Sequence, residues 1–317
     1  MTAETASMRE AFGEALVELG ESHPEVVVLD ADVSHSTRTV LFAQRFPDRF
    51  YNLGVAEANM MDIAAGLATI GYLPWVSTFS FLASLRAGEQ IRTSIAYPRL
   101  NVKIAAGYAG LSDSFDGPTH QSVFDLAVVR AMPNMAVIVA ADAPEAKAAV
   151  KAATAYPGPV YLRLSRAEVP VVFHRGEPEF EVGRGRLLRE GGDVSLVATG
   201  VLLSRALAAA DQLSSQRIDA RVVEIHTLKP IDESILLDAA EQTGALVTVE
   251  EHSVIGGLGG AVAEVLARRQ PTPMEMVGLR DTFAESGPYD ALLDAYGMGV
   301  GDIVAATHRV LERKPRR

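Results

Sequence analysis

Tyr51-Asn52-Leu53-Gly54-Val55-Ala56-Glu57-Ala58-Asn59-Met60-Met61-Asp62-Ile63-Ala64-Ala65-Gly66-Leu67-Ala68-Thr69-Ile70-Gly71 is the stretch from which the rest of the chain is best read. A short strand-like start ends at Gly54, and a helix begins near Glu57. Ala58, Met60, Met61, Ile63, Ala64, Ala65, Leu67 and Ala68 make that helix almost entirely small or apolar. A helix apolar on all sides is a buried one. Glu57 is therefore expected to enter a dry region, with no cation beside it in sequence. Buried carboxylates are rare unless they are paired or have a task. The other reading of Glu57 is an anion stabilising the first turn of a helix. On local grounds both stand.

Near the N-terminus, Met8, Ala11, Phe12, Ala15, Leu16 and Leu19 recur at helical spacing. Val26-Val27-Val28-Leu29 reads as a buried strand ending at Asp30. Residues 34–46 are predicted as a helix, stopped by Pro47. Downstream, strands are predicted at 73–76, 101–106, 136–139 and 160–164. Helices are predicted at 79–96, 121–130 and 144–155, and residues 107–119 form a glycine-rich loop. Alternating strands and helices imply a parallel sheet covered on both faces. Sites in such sheets lie at the carboxyl ends of strands. The stretches 30–36, 54–57 and 108–120 each follow a strand.

Periodicity fails over residues 167–184, where Pro170, Gly176, Pro178 and Gly183 mark a linker. A second alternating block follows, with strands at 194–198, 220–225, 246–249 and 274–277. Its helices fall at 201–213, 232–242 and 258–268, with two more at the end. The expected fold is α/β, two three-layer α/β/α domains at 1–166 and 185–317. Gly256-Gly257-Leu258-Gly259-Gly260 fits neither phosphate-loop nor dinucleotide spacing. It reads as a tight turn, and neither it nor His252 is assigned a role.

The 317 residues carry a formal charge of −11, which argues against nucleic acid or an anionic membrane as the main partner. There is no cysteine, so neither disulfide nor thiolate chemistry is available. No signal-peptide pattern opens the chain and no apolar run reaches the ~18 residues of a membrane span. A cytoplasmic location is the expectation.

Asp116-Gly117-Pro118-Thr119-His120-Gln121, set beside the Glu57 stretch, resembles the pyrimidine-binding domain of the transketolase family of thiamine diphosphate enzymes. In the family's order the resemblance also takes in Ala31-Asp32, Thr78-Phe79, Arg86-Ala87, Gln90-Ile91-Arg92, Met132-Pro133-Asn134 and Leu164-Ser165-Arg166. The second half adds Thr199-Gly200, Lys229-Pro230, Glu250-Glu251-His252 and Gly256-Gly257-Leu258-Gly259. Nearly the whole chain is covered. The implied organisation is a pyrimidine-binding domain with a parallel sheet, followed by a transketolase C-terminal domain.

The resemblance implies catalytic roles for Glu57 and His120 and a cofactor site of Glu57, Phe79, Leu82 and Asp32. It implies that Arg9, Ser36, Tyr108, Asp116, His120 and Arg166 face the substrate. Thiamine diphosphate must lose its thiazolium proton to its own 4′-amino group. A carboxyl group bonded to N1′ favours the basic tautomer, and such a bond is strong only in a dry site. Glu57 occupies the family's glutamate position, and Phe79 that of the ring stacked on the pyrimidine. Leu82 stands where many relatives carry a second Phe, and Phe81 is adjacent. Arg9, Ser36 and Arg166 match residues that hold an acceptor phosphate, for which the arginine fork is suited. Asp116 and His120 match residues that touch sugar hydroxyls. Their other reading is an Asx turn with His120 capping the next helix. Two positions depart from the family: Tyr108 replaces a usual His, and Phe115 a usual Glu.

In the family a Gly-Asp-Gly, followed by an Asn, carries the divalent metal of the diphosphate. The chain has no such triplet; Gly191-Gly192-Asp193-Val194 comes nearest. No metal ligand is therefore assigned here, and Mg²⁺ is expected on a partner. The chain resembles the beta subunit of a split transketolase, which moves a two-carbon ketol unit from a ketose donor to an aldehyde acceptor. The implied partner is an alpha subunit with the diphosphate half, in an α2β2 heterotetramer. Three alternatives stay open: a deoxyxylulose-phosphate-synthase-like carboligase, a 2-oxo acid dehydrogenase beta subunit, and a non-catalytic interaction subunit.

Overall fold

The computed structural model describes residues 4–314; the extreme ends of the two expected domains, residues 1–3 and 315–317, lie outside the described residues. Its strands are β1 Thr5–Ser7, β2 Val26–Asp30, β3 Phe50–Asn52, β4 Leu73–Phe79, β5 Lys103–Gly107, β6 Ala136–Val139 and β7 Val160–Arg163. Then come β8 Glu168–Pro170, β9 Arg186–Arg189, β10 Val194–Ala198, β11 Ala220–Glu224, β12 Thr227–Lys229, β13 Leu246–Ser253 and β14 Met274–Leu279. The larger sheet has the order β12-β6-β7-β5-β4-β2-β3 and the smaller β14-β13-β10-β11-β9. Strands β2 to β7 run parallel, as do β10, β11, β13 and β14, while β9 and β12 are antiparallel edges.

Side-chain alternation explains the layers. Val26 and Val28 turn to one face of the large sheet, where the helix Met8–Ser22 packs with Phe12 and Trp75. Val27 and Leu29 turn to the other, against Met60 and Met61 of the helix Glu57–Thr69. That second cluster runs on without a break into Val197, Val223, Leu236, Leu258 and Val262 of the smaller sheet's layers. The two halves thus share apolar core as well as having their own.

The structure departs from the sequence reading where polar side chains or special backbone intervene. The helix expected at 34–46 is two short ones, Ser34–Thr37 and Val40–Arg45, broken at Arg38 with φ 67°. Buried Asp30 holds that break together, accepting from the Val33 amide at 2.6 Å and the hydroxyls of Thr37 and Thr39 at 3.0 and 2.8 Å. β4 runs on to Phe79, so the expected helix at 79–96 starts late and is widened into π-helical turns at Leu82–Arg86 and Ile91–Ala96. The helix expected from 121 begins only at Asp125. The helix Glu57–Thr69 is not buried all round: Asn59, Asp62, Gly66 and Thr69 are exposed. β1, β8, β9 and β12 were not foreseen. Each is three or four residues long, and β1 pairs with β8, which lies inside the segment read as linker.

β12 crosses from the later part of the chain to extend the first sheet against β6. β13 also runs four residues past its expected end, which carries Glu250, Glu251 and His252 into the interior. Glu250 accepts from the amides of Leu258 and Gly259 at 2.6 and 2.8 Å, satisfying the free amides of the helix Leu258–Arg269. The Glu251 carboxylate accepts from the Leu111 amide at 2.7 Å, in the loop after β5. Burial pushes both carboxyls up to about 7, against those hydrogen bonds and the charge of Arg163. Arg163, itself buried, donates to Asp125 at 2.9 and 3.2 Å and to the carbonyls of Ser122 and Glu251 at 3.0 and 3.1 Å. One guanidinium therefore joins β7, the start of the helix Asp125–Ala131 and β13. The Glu250-Glu251-His252 motif is a seam between the halves.

Candidate functional site

The register of the large sheet brings the carboxyl ends of β3, β2, β4 and β5 side by side. Asn52 faces Asp30, Asp30 faces Ser77, and Phe79 faces Gly107. The three stretches singled out in sequence thus emerge on neighbouring strands along one edge. Along that edge the side chains form two groups.

The first group surrounds Glu57. Its carboxylate is 1% exposed, and both oxygens accept from Nη1 of Arg86, at 3.0 and 3.2 Å. The sequence placed no cation nearby; the π-helical turn after β4 supplies one from 29 residues on. Arg86 itself is half exposed. Asp32 is exposed, with φ 66°, and is clamped by Asn52. The Asp32 amide donates to Asn52 Oδ1 and Asn52 Nδ2 donates to Asp32 Oδ1, both at 3.1 Å. The same Asn52 oxygen accepts from the Gly54 amide at 3.0 Å, which fixes the turn into the Glu57 helix. Leu82 is buried at the start of the π-helical turn, and Thr78 Oγ1 and Ser84 Oγ lie buried nearby in sequence without a partner.

The second group is built on Tyr108. Its φ of 59° is a backbone region that non-glycine residues seldom occupy, and its ring is buried. The ring stacks on Phe79 with centroids 4.0 Å apart and 22° between planes. The guanidinium of Arg9 lies 5.6 Å from the ring centroid and that of Arg166 5.4 Å. Arg9 Nη1 donates to the Ser36 carbonyl at 2.7 Å and to the Tyr108 hydroxyl at 3.4 Å. Ser36 thus meets Arg9 through its backbone. His120 stands edge-on to Phe81 at 5.5 Å and tilted to Phe79 at 6.5 Å, with Nδ1 2.9 Å from Thr119 Oγ1. It caps no helix, since the next one starts at Asp125.

One residue of this group went unmarked in the sequence. Asp113 is 1% exposed, and its Oδ1 lies 3.3 Å from Arg166 Nε. Burial and the charge of Asp116 push its carboxyl up to about 6, against the opposing charge of Arg166. A lone Asp in a glycine-rich loop carries no spacing that would flag it. Arg86 lay inside a quoted motif but had no assigned task, because its partner is far off in sequence.

The loop holding Asp113, Asp116 and His120 rests on the second domain. Gly110, φ 62°, lies where a Cβ would sit 2.2 Å from the Glu251 carboxyl carbon. At Gly117, φ 79°, a Cβ would sit 2.4 Å from Ser286 Oγ. Gln121 Nε2 donates to the Glu285 carbonyl at 3.0 Å, and the Gly287 amide to the Ser114 carbonyl at 3.0 Å. Outward, the edge stays open: Arg86 and Asp116 face solvent, as do the apolar side chains of Val55, Leu85 and Phe115. No helix among the described residues is long and apolar enough to cross a membrane.

Chemically, the edge offers a buried carboxylate, a stack of rings, and a patch with two guanidiniums and two carboxylates. The family model described as Transketolase, pyrimidine binding domain, matches residues 4–172. That described as Transketolase, C-terminal domain, matches residues 183–303. The chain is 45% identical over 307 residues to a protein of Methanocaldococcus jannaschii named as a transketolase C-terminal section, covering 96% of this chain and 95% of that one. It is 41% identical over 307 residues to a 6-deoxy-6-sulfo-D-fructose transketolase subunit of Clostridium sp. (strain MSTE9), covering 97% and 95%. A solved structure described as a split gene transketolase, inactive beta4 tetramer, is 51% identical. It superposes with a TM-score of 0.90, covering 98% of this chain and all of that one.

Proposed function

Because the chain belongs to the transketolase family, we propose that it is the beta subunit of a split transketolase. Together with an alpha subunit it transfers a two-carbon ketol unit from a ketose to an aldehyde. The observation that carries this reading is the gathering of Glu57, Phe79 and Tyr108 at the carboxyl ends of β3, β4 and β5, with His120 in the loop after β5, in a half-site open on its outer side. The relative described as an inactive beta4 tetramer accords with a chain that needs a partner.

The residues fit the pyrimidine half of thiamine diphosphate. A dry carboxyl group, an aromatic ring and two buried hydroxyls without partners lie on or just after neighbouring strands. Glu57 and Phe79 would hold the aminopyrimidine, with Leu82 against it and Asp32 at the rim. Once bound, the cofactor would supply the carbon nucleophile that takes the two-carbon unit. Glu57 would keep its carboxyl group on the ring nitrogen, away from water that would weaken the bond. Asp116 and His120 would hold sugar hydroxyls, and Arg9 and Arg166 the far end of the substrate. The diphosphate and its Mg²⁺ would lie on the alpha subunit, in an α2β2 assembly. We assign the pyrimidine-binding role to residues 1–166 and treat 185–317 as the C-terminal domain. A cytoplasmic location belongs to the same reading.

The chain alone is expected to bind thiamine diphosphate poorly, and the assembled complex to bind it tightly with Mg²⁺. Calorimetry on both decides, and tight magnesium-dependent binding by the chain alone would refute the split reading. In the complex, Arg166→Ala is expected to raise the KM of a phosphorylated aldose about ten- to hundredfold, since a charge-assisted hydrogen bond is worth ~1.5–3 kcal/mol. The effect should exceed that on the unphosphorylated aldose. Equal effects in steady-state kinetics would mark Arg166 as structural.

A further inference from the structure

The substrate-facing patch contains a carboxylate in an unexpected place. Asp113 is buried behind Arg166, and Arg166 Nε is its ion-pair partner at 3.3 Å. Arg166 is fixed from the same loop a second time, because its backbone amide donates to Ser112 Oγ at 3.0 Å. Its guanidinium cannot turn wholly to a ligand without leaving a buried charge unpaired, which is costly. The charges of the patch also cancel. Arg9 and Arg166 contribute two positive charges, Asp113 and Asp116 two negative ones, and Tyr108 only a neutral hydroxyl.

Resting on the transketolase reading, we propose that Asp113 is a positioning residue that sets specificity. By holding Arg166 and offsetting its charge, it turns the anion end of the site toward sugars whose terminus is uncharged or singly charged, and away from a phosphate dianion. A dianion entering beside Arg166 meets twice the repulsion from Asp113 that a monoanion meets, and a neutral hydroxymethyl end meets none. The ion pair with Arg166 at 3.3 Å keeps the Asp113 carboxylate beside the incoming group.

The test uses the assembled complex with erythrose 4-phosphate and erythrose as acceptors. Asp113→Asn keeps the side chain's shape and removes its charge. It is expected to raise the ratio of kcat/KM for the phosphorylated over the unphosphorylated acceptor about tenfold or more, the scale on which like charges act across an interface. The gain should lie in KM and not in kcat. Asp113→Glu, which keeps the charge, should leave the ratio near that of the unaltered complex. A ratio that stays constant or falls in Asp113→Asn overturns the proposal, since Asp113 would then be inert or would orient Arg166 toward phosphate. If no ketose is turned over at all, the transketolase reading has failed, and calorimetric titration with inorganic phosphate still decides. Tighter binding by Asp113→Asn sustains the role of Asp113, and unchanged or weaker binding ends it.

Discussion

Glu57→Gln in the complex with the alpha subunit is expected to lower turnover about 10²–10⁴-fold, the usual loss when a positioned acid–base group is removed. The change is nearly isosteric, and the side chain at position 57 stays buried at the head of its helix. The amide still accepts a hydrogen bond from Arg86, so packing and assembly should persist. What it loses is the carboxyl group's ability to carry the proton shared with a ring nitrogen. Rate assays with size-exclusion analysis separate the two effects. Activity within a few-fold of the parent, with no carboxylate added to the buffer, would remove Glu57 from its proposed role.

Arg163→Met is expected to have the largest effect on stability, about 3–5 kcal/mol, because breaking a buried pair strands the surviving charge. Asp125 is wholly buried and takes both of its charged contacts from Arg163, with the Tyr161 hydroxyl donating at 3.0 Å. The substitution also removes one donor each from the carbonyls of Ser122 and Glu251. Urea denaturation of the purified chain measures the loss. Because Arg163 ties β7 to β13, a single transition should give way to less coincident unfolding of the halves. The double variant Asp125→Leu with Arg163→Met should recover part of the loss, since no charge is then left alone. A loss under 1 kcal/mol would mean that water reaches the pair.

What could be read from the sequence followed the range of the interactions involved. β2 and β6 announced themselves because Val26–Leu29 and Ala136–Val139 are each four apolar residues in a row, which must be buried on both faces. Glu57, Phe79 and His120 could be singled out as candidates from motif context, and the sheet order brings the ends of β3, β2, β4 and β5 onto one edge. Asp113 and Arg86 were not, since each acts through a partner 53 or 29 positions away, beyond the reach of any local pattern. The break at Arg38 was hidden for a related reason. It depends on the Asp30 carboxylate bonding Thr37 and Thr39, and a helical periodicity cannot register such a competing contact. The short edge strands β1, β8, β9 and β12 were lost because three or four residues are too few to establish alternation.

Two glycines of the loop after β5 bear on how such a protein can be rebuilt. At Gly110 and Gly117 the space of the missing Cβ is filled by Glu251 and Ser286, from the other half of the chain. A chimera that joined this pyrimidine-binding half to a foreign C-terminal half would bring a loop moulded to one surface against another. The halves are therefore not interchangeable modules, even though each has its own sheet. Transplanting the active-site specificity of one relative into another would need the loop at 107–121 and its bed at 250–252 and 285–287 to travel together.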